Sequence, residues 1–271
     1  MSASRMSCDL CLGTELRLSP SASPCGRQLM ECAGCGLVCA LPGPDRPGQE
    51  GAPGRRAARS DQKRAAALRR ILDGGRVLEV ECGAGRVLAS LDPRRFEVVG
   101  LEPRDQEAAR ARERLRSAGA RGSVMTGALP DGRLPIESFD LAALFGSLAR
   151  ARSPRATLME VSRLLRDGGY VVIETPSLAS LTARLRGPRW QPLKDPTADY
   201  FFTPQSLARL ATGCGFQPGT TLLPMPAGWP APGTLVYIAR KAAASLRLAG
   251  PAELAEAVQR LAGAAPLGAI H

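Results

Sequence analysis

The chain has 271 residues, 44% hydrophobic and 23% charged, which excludes wholesale disorder, collagen and coiled coil and suits one large domain or a domain with a small module. Aromatics make up only 4%, so the core must rest on Leu, Val, Ile and Ala. The formal net charge is +11, and apart from Lys63, Lys194 and Lys241 every basic residue is Arg. That bias fits a GC-rich coding sequence as well as a surface for nucleic acid, anionic lipid or acidic substrates.

Met1 to Leu12 lacks an apolar core, so no secretory leader is expected and a cytoplasmic protein is. Cysteines then crowd the N-terminus, at 8, 11, 25, 32, 35 and 39, with two more at 82 and 214. Four are paired as Cys8-x-x-Cys11 and Cys32-x-x-Cys35. Two residues between thiolates let one tight turn aim both sulfurs at one ion, and two such turns complete a tetrahedron. The spacing predicts a zinc ribbon over residues 1–42 with Cys8, Cys11, Cys32 and Cys35 as ligands. Four thiolates leave no open position, so the role is structural. Gly13, Gly34 and Gly36 are expected to supply permissive turn backbone. The segment between the pairs is too short for its own core, so the metal would supply much of its folding energy.

Residues 43–60 are rich in Pro, Gly and Arg and read as a linker. Asp61 is expected to cap a helix through Leu72, ended by Gly74-Gly75. Strands and helices then alternate. Strands are predicted at 76–81 (RVLEVE), 96–102 (FEVVGLE), 123–126, 139–145 (FDLAALF) and 170–175 (YVVIET), with helices near 87–91 and over 105–118, 154–165 and 204–212. Two late strands, near 217–223 and 234–239, lack a helix between them and suggest an antiparallel edge. The alternation argues for an α/β fold, a doubly wound, mostly parallel sheet covered on both faces over 61–241. Between Arg209 and Arg240 the chain is uncharged, but Pro218, Pro224, Pro226, Pro230 and Pro232 forbid a membrane-spanning helix. Residues 242–271 read as a tail with one amphipathic helix, 251–261.

The first strand ends in Glu79-Val80-Glu81-Cys82-Gly83-Ala84-Gly85 and the second in Glu102. Glycines at a strand-to-helix turn let backbone approach a ligand, and a carboxylate at the next strand tip can accept a ribose diol. Leu88 stands where a dinucleotide fingerprint wants its third glycine, and no G-x-x-x-x-G-K-[ST] loop is present. Glu79 would repel a pyrophosphate but suits a cationic group, such as the sulfonium or ammonium of S-adenosylmethionine.

VLEVECGAG and VVGLEP, followed in order by SFDLAALF, RLLRDGGYVVIETPS and DYFFTPQSLARLATGCGF, resemble the class I S-adenosylmethionine-dependent methyltransferases over about 75–241. The N-terminal Cys pairs resemble the zinc ribbon that some bacterial members carry. The resemblance implies a seven-stranded Rossmann-like sheet. It also implies that Glu79 orients the methionine ammonium, Gly83 and Gly85 pass beneath the cofactor, Glu102 holds the ribose hydroxyls, and Ala128, Leu129 and Phe145 flank the adenine. Three departures stand out. Glu81 replaces a usual glycine, where its side chain would crowd the methionine end unless turned outward or protonated. The segment Phe145 to Arg150 lacks the histidine and glutamate that relatives often carry there. Ala198 occupies a place that often holds histidine, and His271 is the chain's lone histidine.

Methyl transfer is mainly a positioning problem, but a hydroxyl or amine acceptor must lose a proton. Candidate bases are Glu174, Asp195, Asp199 and Tyr200; a carboxylate acceptor needs none. Arg150 to Arg155 and Arg184 to Arg189 are candidate holders of an anionic substrate, and Trp190 a candidate lid over the acceptor site. The leading reading is a methyltransferase acting on a small molecule. The alternatives are a degenerate, non-catalytic binding or scaffold protein, and an RNA-binding or RNA-modifying protein. The basic runs lack the interleaved aromatics that the RNA reading wants.

Overall fold

The computed structural model describes residues 7–19, 27–41, 55–222 and 233–243, with only the backbone of 55–59. Most of the expected linker, Cys25, the 251–261 helix and His271 lie outside the described residues.

The larger sheet has seven strands. They are β4 (Gly75–Val80), β5 (Phe96–Glu102), β6 (Arg121–Thr126), β7 (Phe139–Phe145), β8 (Leu165–Pro176), β10 (Thr220–Leu222) and β11 (Thr234–Arg240). Their order is β10-β11-β8-β7-β4-β5-β6. The five strands from β8 to β6 are parallel, and β11 and β10 form the antiparallel edge. Apolar side chains leave both faces of β4, β5, β7 and β8, as a sheet covered on both sides requires. One face packs against α3 (Pro154–Leu164) and α5 (Pro204–Gly213) through Leu158, Val161, Leu207 and Leu210. The other packs against α1 (Arg55–Ile71) and α2 (Asp105–Ser117) through Ala65, Leu68, Ala108 and Ala111.

Three elements differ from the sequence expectation for visible reasons. Helix α1 begins at Arg55, six residues before Asp61, because its opening run is Arg and Ala, both strong helix formers. The helix expected near 87–91 is one 3-10 turn, Leu88–Ser90: Asp92-Pro93 follows at once, and Pro93 disfavours helical backbone just before it. Strand β8 starts five residues early, through an irregular register beside Phe139 and Leu141. Gly122 fills a position closed to other residues, since a Cβ there would lie 1.7 Å from the Val98 carbonyl oxygen.

The Cys-rich segment supplies β1 (Leu16–Leu18), β2 (Leu29–Cys32) and β3 (Val38–Ala40). These antiparallel strands continue onto β9 (Tyr200–Phe201), which lies after the short helix α4 (Leu181–Arg186). The ribbon is therefore built into the α/β body. Leu29, Val38 and Ala40 pack with Ala183, Trp190, Leu193, Ala198 and Phe201, while Cys8, Leu10 and Leu37 join the main core. Arg27 donates to the Pro196 and Ala198 carbonyls and pairs with Asp199. Asp9 accepts from Ser153 Oγ (2.7 Å) and the Arg155 amide (2.8 Å), capping α3 from outside its own segment. Among the described residues no helix is long and apolar enough to cross a membrane.

Candidate functional site

The chain runs outward from β4 through β5 to β6, then returns to β7 on the other side of β4. The crevice beyond the carboxyl ends of β4 and β7 is thus the topological switch point, where open α/β sheets bind ligands. Glu79, Glu81 and Gly83 stand at one lip, Phe145 and Arg150 at the other, and Glu102 closes the side at the tip of β5.

Glu79 is 4% exposed, and its Oε2 has no hydrogen-bond partner among the described residues. Burial pushes its carboxyl up to about 8, against the opposing pull of the Arg64 guanidinium. An arriving cation would reverse that and hold the carboxylate ionised. Gly83 has φ +54, and a Cβ built there would meet nothing within 4 Å. Open space therefore lies over the loop beside a buried carboxyl with an unpartnered oxygen. Gly85, φ +69, serves otherwise: a Cβ there would press on Ala111 and Leu115 of α2, at 3.0 and 3.1 Å. It is the helix that needs this glycine.

Glu102 is 1% exposed. Its Oε2 accepts the Gly83 amide (2.8 Å), and Oε1 accepts the amide and Nε of Arg104, at 3.1 and 2.8 Å. The carboxylate thus shapes the glycine loop as well as facing its own strand tip. Ala128 is exposed, Leu129 is half-buried against the core on the α3 side, and Phe145 belongs to the core on the α1 side. The Arg64 guanidinium lies 5.0 Å from the centre of the Phe145 ring.

Glu81 has φ +56, a conformation that suits glycine and costs other residues on the order of 1 kcal/mol or more. Its carboxylate is turned onto Arg150, whose Nε and Nη2 both donate to Oε2, at 3.0 and 2.6 Å. Two of the sequence departures thus meet as one ion pair across the switch point. Burial raises the Glu81 carboxyl above its ordinary value, with Arg150 opposing.

The four expected bases are all engaged elsewhere. Glu174 is held by Arg64 through two bonds, at 2.9 and 2.7 Å. Asp195 accepts the amide and hydroxyl of Thr197, Asp199 pairs with Arg27, and the Tyr200 hydroxyl donates to the Arg152 carbonyl. Trp190, 3% exposed, is an anchor of the ribbon contact. Sequence reasoning passed over Arg64: nothing local distinguishes one Arg in an Arg-rich helix, and only its place above the tip of β8 does. Ser147, Thr175 and Ser177, at the ends of β7 and β8, are also buried with hydroxyls that have no partner among the described residues.

At the far N-terminus the sulfurs of Cys8, Cys11, Cys32 and Cys35 all lie within 4.8 Å of one another. That cluster has the donor set of a structural zinc site and is compatible with zinc. Positive φ falls at Leu12 and Gly36. Gly13 serves by leaving room, since a Cβ there would lie 3.3 Å from the Cys11 sulfur, whereas a Cβ at Gly34 would make ordinary contact with it at 3.8 Å.

Residues 54–220 match a sequence family described as a methyltransferase domain. The chain is 28% identical over 123 residues to an uncharacterized methyltransferase of Schizosaccharomyces pombe, covering 42% of this chain and 44% of that one. It therefore spans less than half the length of this curated relative. Among solved structures it is similar in fold to a Pyrococcus horikoshii protein, with TM-score 0.56 and 16% identity over 69% of this chain and 92% of that one. It is likewise similar to an S-adenosylmethionine-dependent methyltransferase from Aquifex aeolicus, with TM-score 0.53 and 16% identity over 70% and 94%.

Proposed function

Because the chain belongs to the methyltransferase-domain family, we propose that it transfers a methyl group from S-adenosylmethionine to a small-molecule acceptor. The observation that carries the reading is the unsatisfied Glu79 carboxylate beside the open face of Gly83 at the switch point. The residues fit the donor: a buried carboxyl with an unpartnered oxygen would ionise beside a cation, a bare glycine leaves room, and a second carboxylate, Glu102, stands at the neighbouring strand tip.

In this reading Glu79 faces the donor's ammonium, Gly83 gives the adenosyl group room, and Glu102 accepts the ribose hydroxyls. The spare lone pairs of Glu102 lie on Oε2, so a diol reaching both oxygens displaces Arg104 Nε. Gly85 contributes by seating α2, Ala128 and Leu129 bound the adenine end beyond β6, and Phe145, expected beside the adenine, stands instead across β4 in the lip that carries Arg150. When bound, the donor supplies a methyl carbon activated by positive sulfur. The protein's part is to align it with the acceptor and exclude water. The buried hydroxyls of Ser147, Thr175 and Ser177 are candidates to orient the acceptor. The four cysteines hold one zinc ion, and the ribbon supports 177–203 as the acceptor-side wall. The domain division follows: a ribbon over 1–42, a linker over 43–60 overlapped by the start of α1, a catalytic body over 61–241, and a tail over 242–271.

Calorimetric titration with S-adenosylmethionine tests the reading. Wild-type protein is expected to bind, and Glu102→Ala to weaken binding at least tenfold. No binding to wild type at millimolar ligand would instead favour the non-catalytic scaffold. The RNA reading gains nothing from the fold, since no observation at the strand tips calls for a polynucleotide.

A further inference from the structure

This inference rests on the donor reading and concerns residues that reading leaves without a role. Glu81 sits in a left-handed conformation that glycine would adopt freely. It is kept there by Arg150, which reaches it from the opposite lip of the crevice. The guanidinium spends Nε and Nη2 on a single oxygen. Arg150 Nη1 and Glu81 Oε1 make no hydrogen bond among the described residues, so each partner keeps a free end. Gly146 leaves the guanidinium room: a Cβ there would lie 3.3 Å from Nη1. Both side chains are mostly buried, 14% and 27% exposed, and Glu79 waits with its own empty oxygen two residues before Glu81.

A half-buried ion pair exchanges well only for a ligand with the same two charges, because a single charge would strand one partner. The amino-acid end of the donor is such a ligand, one ammonium and one carboxylate. We propose that the Glu81–Arg150 pair is the resident occupant of the subsite for that group, and that Arg150 takes the donor's carboxylate when the pair opens. Glu81, released, joins Glu79 in facing the ammonium. The planar fork of Arg150 matches a carboxylate in two bonds, as it now half-matches Glu81. Arg150 is then the residue that selects a zwitterionic donor over an adenosyl compound with a bare amine, and Glu81 is the partner that holds it while the subsite is empty.

The test compares binding of S-adenosylmethionine and its decarboxylated form by calorimetry. Wild type is expected to prefer the carboxylated ligand at least tenfold. Arg150→Gln is expected to abolish that preference while leaving affinity for the decarboxylated ligand within about threefold. Glu81→Gly keeps Arg150, removes the backbone strain and the competing carboxylate, and is expected to keep the preference with affinity at least that of wild type. Equal binding of the two ligands to wild type would overturn the proposal. So would a preference that survives in Arg150→Gln, or one lost in Glu81→Gly. If wild type bound neither ligand, the donor reading itself would fall and the inference with it.

Discussion

The two candidate sites of this molecule are built in opposite ways. The Cys8, Cys11, Cys32 and Cys35 cluster draws its ligands from two short turns of one small ribbon. The strand-tip site draws Glu79, Glu102, Glu81 and Arg150 from the ends of β4 and β5 and from the segment after β7, which only the sheet brings together. The first is closed and local, and a bound metal would make its fold; the second is open and distributed, and the fold makes the site. The contrast teaches that the same chain offers a closed donor set for a structural ion at one end and leaves room for a ligand at the other. The two are joined through β9 and through Asp9, so the local site braces a wall of the distributed one.

Removing the metal should break that bracing and gives the largest effect. Metal binding contributes on the order of 10 kcal/mol to folding in isolated zinc modules. Chelation of the purified protein should therefore unfold 7–41 and free β9. With the chain's other tryptophan replaced (Trp229→Phe), Trp190, buried against ribbon residues, reports it as a red shift in emission, with faster amide exchange over 177–203. A chelated protein with unchanged Trp190 emission and exchange would separate the two regions.

Arg64→Met attacks the distributed site from within. It removes the two hydrogen bonds and the ion pair that Arg64 gives the Glu174 carboxylate at the tip of β8, and removing one partner of a buried pair costs about 3–5 kcal/mol. Denaturant unfolding should show that loss, with the ribbon's metal content unchanged. Asp9→Ala tests the joint between regions. It removes an N-cap contact from α3, for a loss of about 1–2 kcal/mol, again with full metal content.

The last effect is a pH slope. The folded Glu79 carboxyl is raised to about 8 from an ordinary 4.5, so between those values the native state keeps a proton that the unfolded chain has released. Raising pH through this window therefore favours unfolding, and the contribution is gone above about 8. Glu79→Gln should flatten the fall in melting temperature between pH 5 and 8 in ligand-free protein. An unchanged slope would remove Glu79 from the account.

What could be read without coordinates follows the same division. Sequence-local features were legible: the Cys pairs, the two strands 96–102 and 139–145 at their observed bounds, and the antiparallel edge. The strand-tip carboxylates were legible because strand ends carry a recurring pattern. Arg64 was not seen as a site residue, and Arg150 only as one member of an Arg-rich stretch offered to an anionic substrate, since among many arginines only distance in space marks the one that meets Glu81. The integration of the ribbon was hidden for a similar reason. Strand β9 is two residues long and pairs with β3 across a gap in sequence that no periodicity spans. Helix α1 was shortened because a Pro/Gly-rich stretch masked an Arg/Ala start.

A crystal structure with S-adenosylhomocysteine bound tests the central claim most directly. The account predicts the adenosyl group in the crevice beyond β4 and β7, its ribose hydroxyls on Glu102 and its body over Gly83. Ligand density at any other place, or a crevice filled by Glu81 at saturating ligand, would contradict it.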